Sequence, residues 1–483
     1  MIYGYARQAS LWPGERLTLH VSCGAGRFRF AFYRWTGQLV HMLTTSWKWG
    51  ERAGACSAAA DWGWPAYGID LPRDWPAGVY VVHLEEKGAP EMHIAMADAA
   101  VLFVLRGDGA SELLYKIPLA TYNAYNHAGG GCFYDRPPRS LDPPGARLSF
   151  RRPGIGIGGP AFGAADFYDP TSPRQTFAHW DARFIAWLHQ KGHTPEFCTD
   201  LDIHADPGLL ERYRLLLSVG HDEYWSEPMR DAVEAFGRRG GNVAFFSANV
   251  CWWRIHLVDN DTAMVCHQGG PNGARDHWWA SSGVARPEDA LSGASYRHGG
   301  GWWDGPREAA GYRVQDAGHW VFEGTGLRQG DRFGASTLPP LVGYECDGAP
   351  LDSFDEASGT ARLAAGASDC GTPRNYRLLA ACPLGPQWQE RPCREPHASA
   401  QGLHAATMGI VEPGRIASRL PAGGDWSGRS SHDLAGSSRG IVFHAGTTDW
   451  AQVLAGGQDR HVETITHNVI TRLLQTGRAS EPP

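Results

Sequence analysis

The stretch Tyr213-Arg214-Leu215-Leu216-Leu217-Ser218-Val219-Gly220-His221-Asp222-Glu223 constrains this chain more than any other. Its apolar run has strand length and no polar alternation, the pattern of a strand covered on both faces. Ser226-Glu227-Pro228 then opens a helix to about residue 239, with Ser226 as N-cap and the proline in the first turn. Asn242-Val243-Ala244-Phe245-Phe246-Ser247 is the next strand. Strand, helix and strand at this spacing predict a βαβ unit and a parallel sheet. Strands at 113–118, 194–199 and 441–444 extend the pattern. So do helices at 176–191, with Phe177, Trp180, Phe184, Trp187 and Leu188 on one face, and at 458–475, faced by Val462, Ile465, Val469, Ile470, Leu473 and Leu474.

The first hundred residues read differently. Runs at 16–21 and 28–33 alternate with period two, strands at 78–84 and 98–106 follow, and Gly and Pro divide them. This predicts an immunoglobulin-like β-sandwich over 1–108 and an α/β domain with a parallel sheet over 109–483. Within the latter, 265–438 is a Gly- and Trp-rich, loop-rich insertion, and a long Gly/Pro-rich loop spans 126–173. At 483 residues the chain has length for two to four domains, and 42% apolar with 20% charged residues is a globular composition. A net charge of −7 argues against nucleic-acid or membrane partners, no apolar stretch is long enough to span a bilayer, and the N-terminus lacks a secretory pattern. A cytoplasmic address is expected. The ten Cys contain no C-x-x-C, so a zinc ribbon, Fe–S cluster or thioredoxin-type site is not expected. All but four basic residues are Arg, which leaves few candidates for lysine-based chemistry.

Chemistry should gather where the parallel strands end. Gly220-His221-Asp222-Glu223 puts three ionisable residues in one such turn, with His221 and Glu223 pointing the same way. The plainer reading has Glu223 capping the helix and His221 satisfied by backbone. The turn lacks the Ser or Cys of a G-x-[CS]-x-G elbow, so covalent catalysis is disfavoured. Ala120-Thr121-Tyr122-Asn123-Ala124-Tyr125-Asn126-His127 follows another strand, and Ser247-Ala248-Asn249 ends a third. Packing of the tyrosines and a turn role for Asn249 are the structural alternatives.

Taken in order, Gly78-Val79-Tyr80, Ala120 to Asn126, Gly220 to Trp225 and Ser247-Ala248-Asn249 resemble the C-terminal region of the N,N-dimethylformamidase large (beta) subunit family over roughly residues 1–475. The resemblance implies an amidotransferase-like α/β domain over 109–483 that carries a mononuclear Fe(3+) site with two tyrosinates and one glutamate. Glu223 matches the carboxylate ligand, Tyr122 or Tyr125 one tyrosinate, and Tyr80 the other. His221 matches a nearby polar residue and Asn249 a pocket-lining one. Hard oxygen donors suit ferric iron, and a nearby cation would hold a phenol ionised. With Glu223 as ligand, His221 or Glu345 of Gly343-Tyr344-Glu345 would move protons. The expected activity is metal-dependent hydrolysis of the C–N bond of a small amide or formamide. The family's large subunit carries further N-terminal β domains and works with a small partner subunit. This chain is expected to lack the former, and a homo-oligomer or a small partner are both open. A non-catalytic α/β binding module with a Trp-rich ligand pocket is the alternative. A zinc hydrolase using His221, Asp222 and a remote His is a third reading, unsupported by any H-x-x-x-H pair.

Overall fold

The computed structural model describes residues 1–24, 26–95, 99–134, 146–157, 159–268, 275–280, 283–308, 310–388, 403–413 and 440–476. Parts of the predicted 126–173 loop and of the 265–438 insertion lie outside the described residues, as does Asp98 of the predicted 98–106 strand. The chain divides into two compact units, each assembled from several segments. The first comprises Met1–Asp206, Tyr224–Met229 and Trp253–Asp276, and the second Pro207–Glu223, Arg230–Trp252 and His277–Pro483. The chain passes between them after residues 206, 223, 229, 252 and 276.

In the first unit, two sheets share one core. Strands Ile2–Ala6, Arg16–Cys23 and Ala66–Asp70 form one sheet; the other is built on Ala100–Leu105, Gly78–Glu86, Arg27–Trp35 and Leu39–Thr44. Leu17, Leu19 and Val21, then Phe28, Phe30 and Phe32, then Tyr80, Val82 and Leu84 recur at every second position and bury into that core. That is the side-chain period of a strand with one face covered. Segment 109–206 joins this unit because its groups tie back to the sandwich. Trp35 Nε1 donates to the Ala182 carbonyl at 2.8 Å, and Arg106 pairs with Asp202 at 3.3 Å. The strands Leu113–Ile117 and Glu196–Thr199 pair in parallel. The predicted 176–191 helix begins only at Asp181, because Phe177 N–H is spent on the Gly156 carbonyl and Asp181 turns its carboxylate to the Tyr115 hydroxyl.

In the second unit, seven strands lie in the order Leu215–His221, Asn242–Ala248, Val442–His444, Ala405–Val411, Tyr376–Pro383, Tyr312–Val314 and Arg332–Phe333. The first three are mutually parallel, as the apolar runs require. From Ala405–Val411 onward the pairing is antiparallel, so the arrangement is mixed rather than wholly parallel. Helix Arg460–Gln475 buries Val462, Ile465, Val469, Ile470 and Leu473, and Asp459 caps it by accepting from His461 N–H. Asn242 closes its other end, donating through Nδ2 to the Leu473 carbonyl at 2.7 Å. Among the described residues no helix is long and apolar enough to cross a membrane.

Glu412 gives this unit an acid-sensitive point. Hydrogen bonds from His319 and Trp320 hold its carboxyl down at about 2, against the opposing effect of burial. A depressed carboxyl stabilises the fold above its ordinary value and loses that contribution as pH falls through its folded value. Urea midpoints of the wild type should therefore rise between pH about 2 and about 4.5, and Glu412→Gln should flatten that rise. Parallel curves for the two proteins would refute this.

Candidate active site

Parallel pairing sets Gly220 beside Ser247 and His221 beside Ala248, so the two strand ends lie side by side. Gly220 turns at φ +73, and Asn249 leaves its strand at φ +55, a left-handed conformation that Asn tolerates better than most residues. Asp347 fixes that turn: its carboxylate accepts from Asn249 N–H at 2.9 Å and Val250 N–H at 3.1 Å, and His444 Nε2 lies 3.2 Å from it.

The strand Glu345–Gly348 delivers Glu345 to the same place. Glu345 Oε2 lies 2.9 Å from His221 Nε2 and accepts from Asn249 Nδ2 at 2.9 Å. Trp303 Nε1 donates to Oε1 at 3.0 Å. Glu223 Oε2 stands 3.5 Å from the same imidazole nitrogen. His221, Glu223, Asn249 and Glu345 are all buried, and the edge of Tyr344 faces the His221 ring. Asn249 Oδ1 is buried without a hydrogen-bond partner. The second unit thus brings together His221, Glu223, Asn249 and Glu345.

Burial alone would push the His221 pKa down, but Glu345, Glu223 and Asp222 outweigh it and the net direction is upward. Burial would likewise raise Glu345, yet His221, Asn249 and Trp303 hold it below the ordinary carboxylate range. Shifts in these opposed directions favour a proton on His221 and charge on Glu345, the polarity of an acid–base pair in a dry setting.

The tyrosines occupy other surroundings, in the first unit. Tyr80 stacks against Trp75 and Phe103 in the sandwich core, and its hydroxyl donates to the Pro76 carbonyl at 2.7 Å. Burial pushes its pKa well above the ordinary value. Tyr122 sits on the short helix Leu119–Tyr125 and donates to Asp181, which also accepts from Tyr115 at 2.8 Å. Tyr125 stacks on Tyr134, ring centroids 4.5 Å apart, with Tyr224 edge-on at 6.5 Å. Trp303, Asp347 and His444 are supporting residues that the sequence did not single out. His444 ends the predicted 441–444 strand, and its place at a parallel strand's end was the usable signal.

The family described as N,N-dimethylformamidase beta subunit-like, C-terminal, matches residues 29–464, and the chain belongs to it. Among curated relatives, the N,N-dimethylformamidase beta subunit of Alcaligenes sp is 26% identical over 201 residues, 37% of this chain. The match spans a quarter of that relative's length.

Proposed function

We propose that this protein is an iron-dependent amidohydrolase that cleaves the C–N bond of a small amide or formamide. The observation that carries the reading is the buried set in which Glu345 and Glu223 share one imidazole nitrogen of His221. The relative's printed name supports the reaction class. The parallel run of three strands supports the amidotransferase-like part of the proposal.

Glu223 and the Asn249 Oδ1 that lacks a partner offer oxygen donors that fit a hard cation, beside the His221–Glu345 pair. Glu223 is the carboxylate ligand in this reading. Tyr80 and one of Tyr122 and Tyr125 are the phenolate candidates. To ligate, the Tyr80 hydroxyl would have to leave the Pro76 carbonyl and the Tyr122 hydroxyl the Asp181 carboxylate. When bound, ferric iron supplies Lewis acidity toward a carbonyl oxygen and toward water.

The chain's own groups then carry the protons. Glu345 Oε1, which holds one donor against two on Oε2, takes a proton from the attacking water. The water oxygen adds to the amide carbon. His221 Nε2–H protonates the leaving nitrogen as the C–N bond breaks, giving a carboxylic acid and an amine. Asn249 and Trp303 keep Glu345 in register, and the faces of Trp303 and Tyr344 suit a small alkylated amide. The relative is called a beta subunit, so a partner subunit belongs to the proposal as well.

Metal analysis and a visible spectrum test this reading, since tyrosinate-to-iron(III) charge transfer is coloured. Purified protein should contain iron and absorb in the visible. Glu223→Ala should lose both, and Tyr80→Phe, like one of Tyr122→Phe and Tyr125→Phe, should weaken or bleach the band. Protein that stays metal-free and colourless after iron reconstitution refutes the iron-dependent reading. Ligand binding without turnover in iron-loaded protein would favour a binding module instead.

A further inference from the structure

We propose a separate site for a divalent first-row transition ion, with zinc the best fit, formed by His256, His267 and Asp276 in the first unit. One ligand atom from each residue lies within 4.8 Å of the other two. The strands His256–Val258 and Ala263–Cys266 form an antiparallel hairpin in which His256 faces Val265. His267 lies two residues beyond Val265, so strand alternation brings it to the same face as His256. Asp276 meets both: Oδ1 is 3.0 Å from His256 Nε2, and Oδ2 is 2.7 Å from His267 Nδ1.

The carboxylate is fully buried and held rigidly. Arg254 donates Nε and Nη2 to Oδ1, each at 3.0 Å, and His267 N–H donates to Oδ2 at 2.6 Å. Arg254 is itself paired through Nη1 with Glu227 at 2.7 Å, which offsets part of its charge beside the site. Such outer contacts fix a ligating carboxylate and hold it ionised. The His256 side chain is 41% exposed, which gives an ion a route from solvent.

Two borderline imidazoles beside one carboxylate make a mixed nitrogen–oxygen set suited to zinc over magnesium or calcium, and three protein ligands leave a fourth position open. Binding would replace the hydrogen bonds between imidazole and carboxylate with lone-pair donation from both rings. The protons that the two donating nitrogens carried would pass to solvent. None of these residues belongs to the proposed hydrolytic cluster.

The test is calorimetric titration of Zn2+ into the full-length protein, with thermal melting alongside. Wild type should take up one equivalent at this site and melt higher with zinc, as a ligand specific for the folded state requires. Glu223→Ala should bind the same equivalent, which separates this site from the proposed iron centre. The double variant His256→Ala/His267→Ala should lose it. His256→Ala alone, altered at a half-exposed position and so safe for folding, should weaken binding by at least the roughly 10–100-fold expected for a lost outer-shell partner. Absence of zinc uptake by wild type, or undiminished affinity in His256→Ala, overturns the proposal and leaves a hydrogen-bonded knot only.

Discussion

Glu345→Gln is expected to lower kcat by roughly 100- to 10,000-fold, the range for losing a positioned general base, while iron content and the circular dichroism spectrum stay at wild-type levels. The substitution keeps the side chain's shape and most of its contacts but removes the charge that most raises the His221 pKa against burial. Burial then acts on the imidazole with less opposition and drives it toward the neutral form, so the group that should protonate the leaving nitrogen is depleted as well. Because both losses fall on the proton-transfer steps, kcat should carry the effect and KM should change little. A variant within threefold of wild type would remove Glu345 from the mechanism. A variant that also loses its iron would make Glu345 a ligand instead of a base.

The largest loss of stability is expected for Asp449→Asn. Asp449 pairs with Arg307, both side chains essentially removed from solvent. Asp449 N–H also donates to the Gly343 carbonyl at 3.0 Å, close to Glu345 in the chain. The Arg307 guanidinium packs so tightly over Gly343 that a Cβ added there would lie 2.2 Å from Nε. Removing one charge of a buried pair strands the other, at a cost of about 3–5 kcal/mol. For a unit of this size that corresponds to a melting temperature lower by on the order of 10 °C. Differential scanning calorimetry of the two proteins checks it. A shift of a degree or less would mean that the arginine is compensated elsewhere.

Where the sequence carried a strong periodic signal, the structure is close to its reading. The strand Leu215–His221, the helix Glu227–Arg238, the strand Asn242–Ala248 and the helix Arg460–Gln475 lie within a few residues of expectation. Each pairs an unbroken or helically spaced apolar run with a nearby breaker or cap. Ser226 acts as anticipated, accepting from Met229 N–H at 3.3 Å. The region after residue 265 was opaque because Tyr312–Val314 is too short to register a period, Ser295–Gly301 is Gly-rich, and Tyr376–Pro383 and Ala405–Val411 are buried along most of their length without alternating. The antiparallel half of the second unit's strand order went unseen for that reason. At the site, His221, Glu223 and Asn249 were readable because parallel strands end there. Asp347 and Trp303 were not, since nothing local marks a residue whose role is to orient a neighbour across a hundred positions of chain. His256, His267 and Asp276 escaped because a hairpin, not a helix turn, brings them together.

The interleaved make-up of the two units has a practical consequence. The polypeptide changes unit after Asp206, Glu223, Met229, Trp252 and Asp276, so neither unit corresponds to one uninterrupted stretch of gene. A C-terminal truncation at any codon up to 276 would amputate pieces of both, and a split-gene pair would have to be stitched from three fragments apiece. Engineering of this scaffold is therefore confined to point changes and surface grafts.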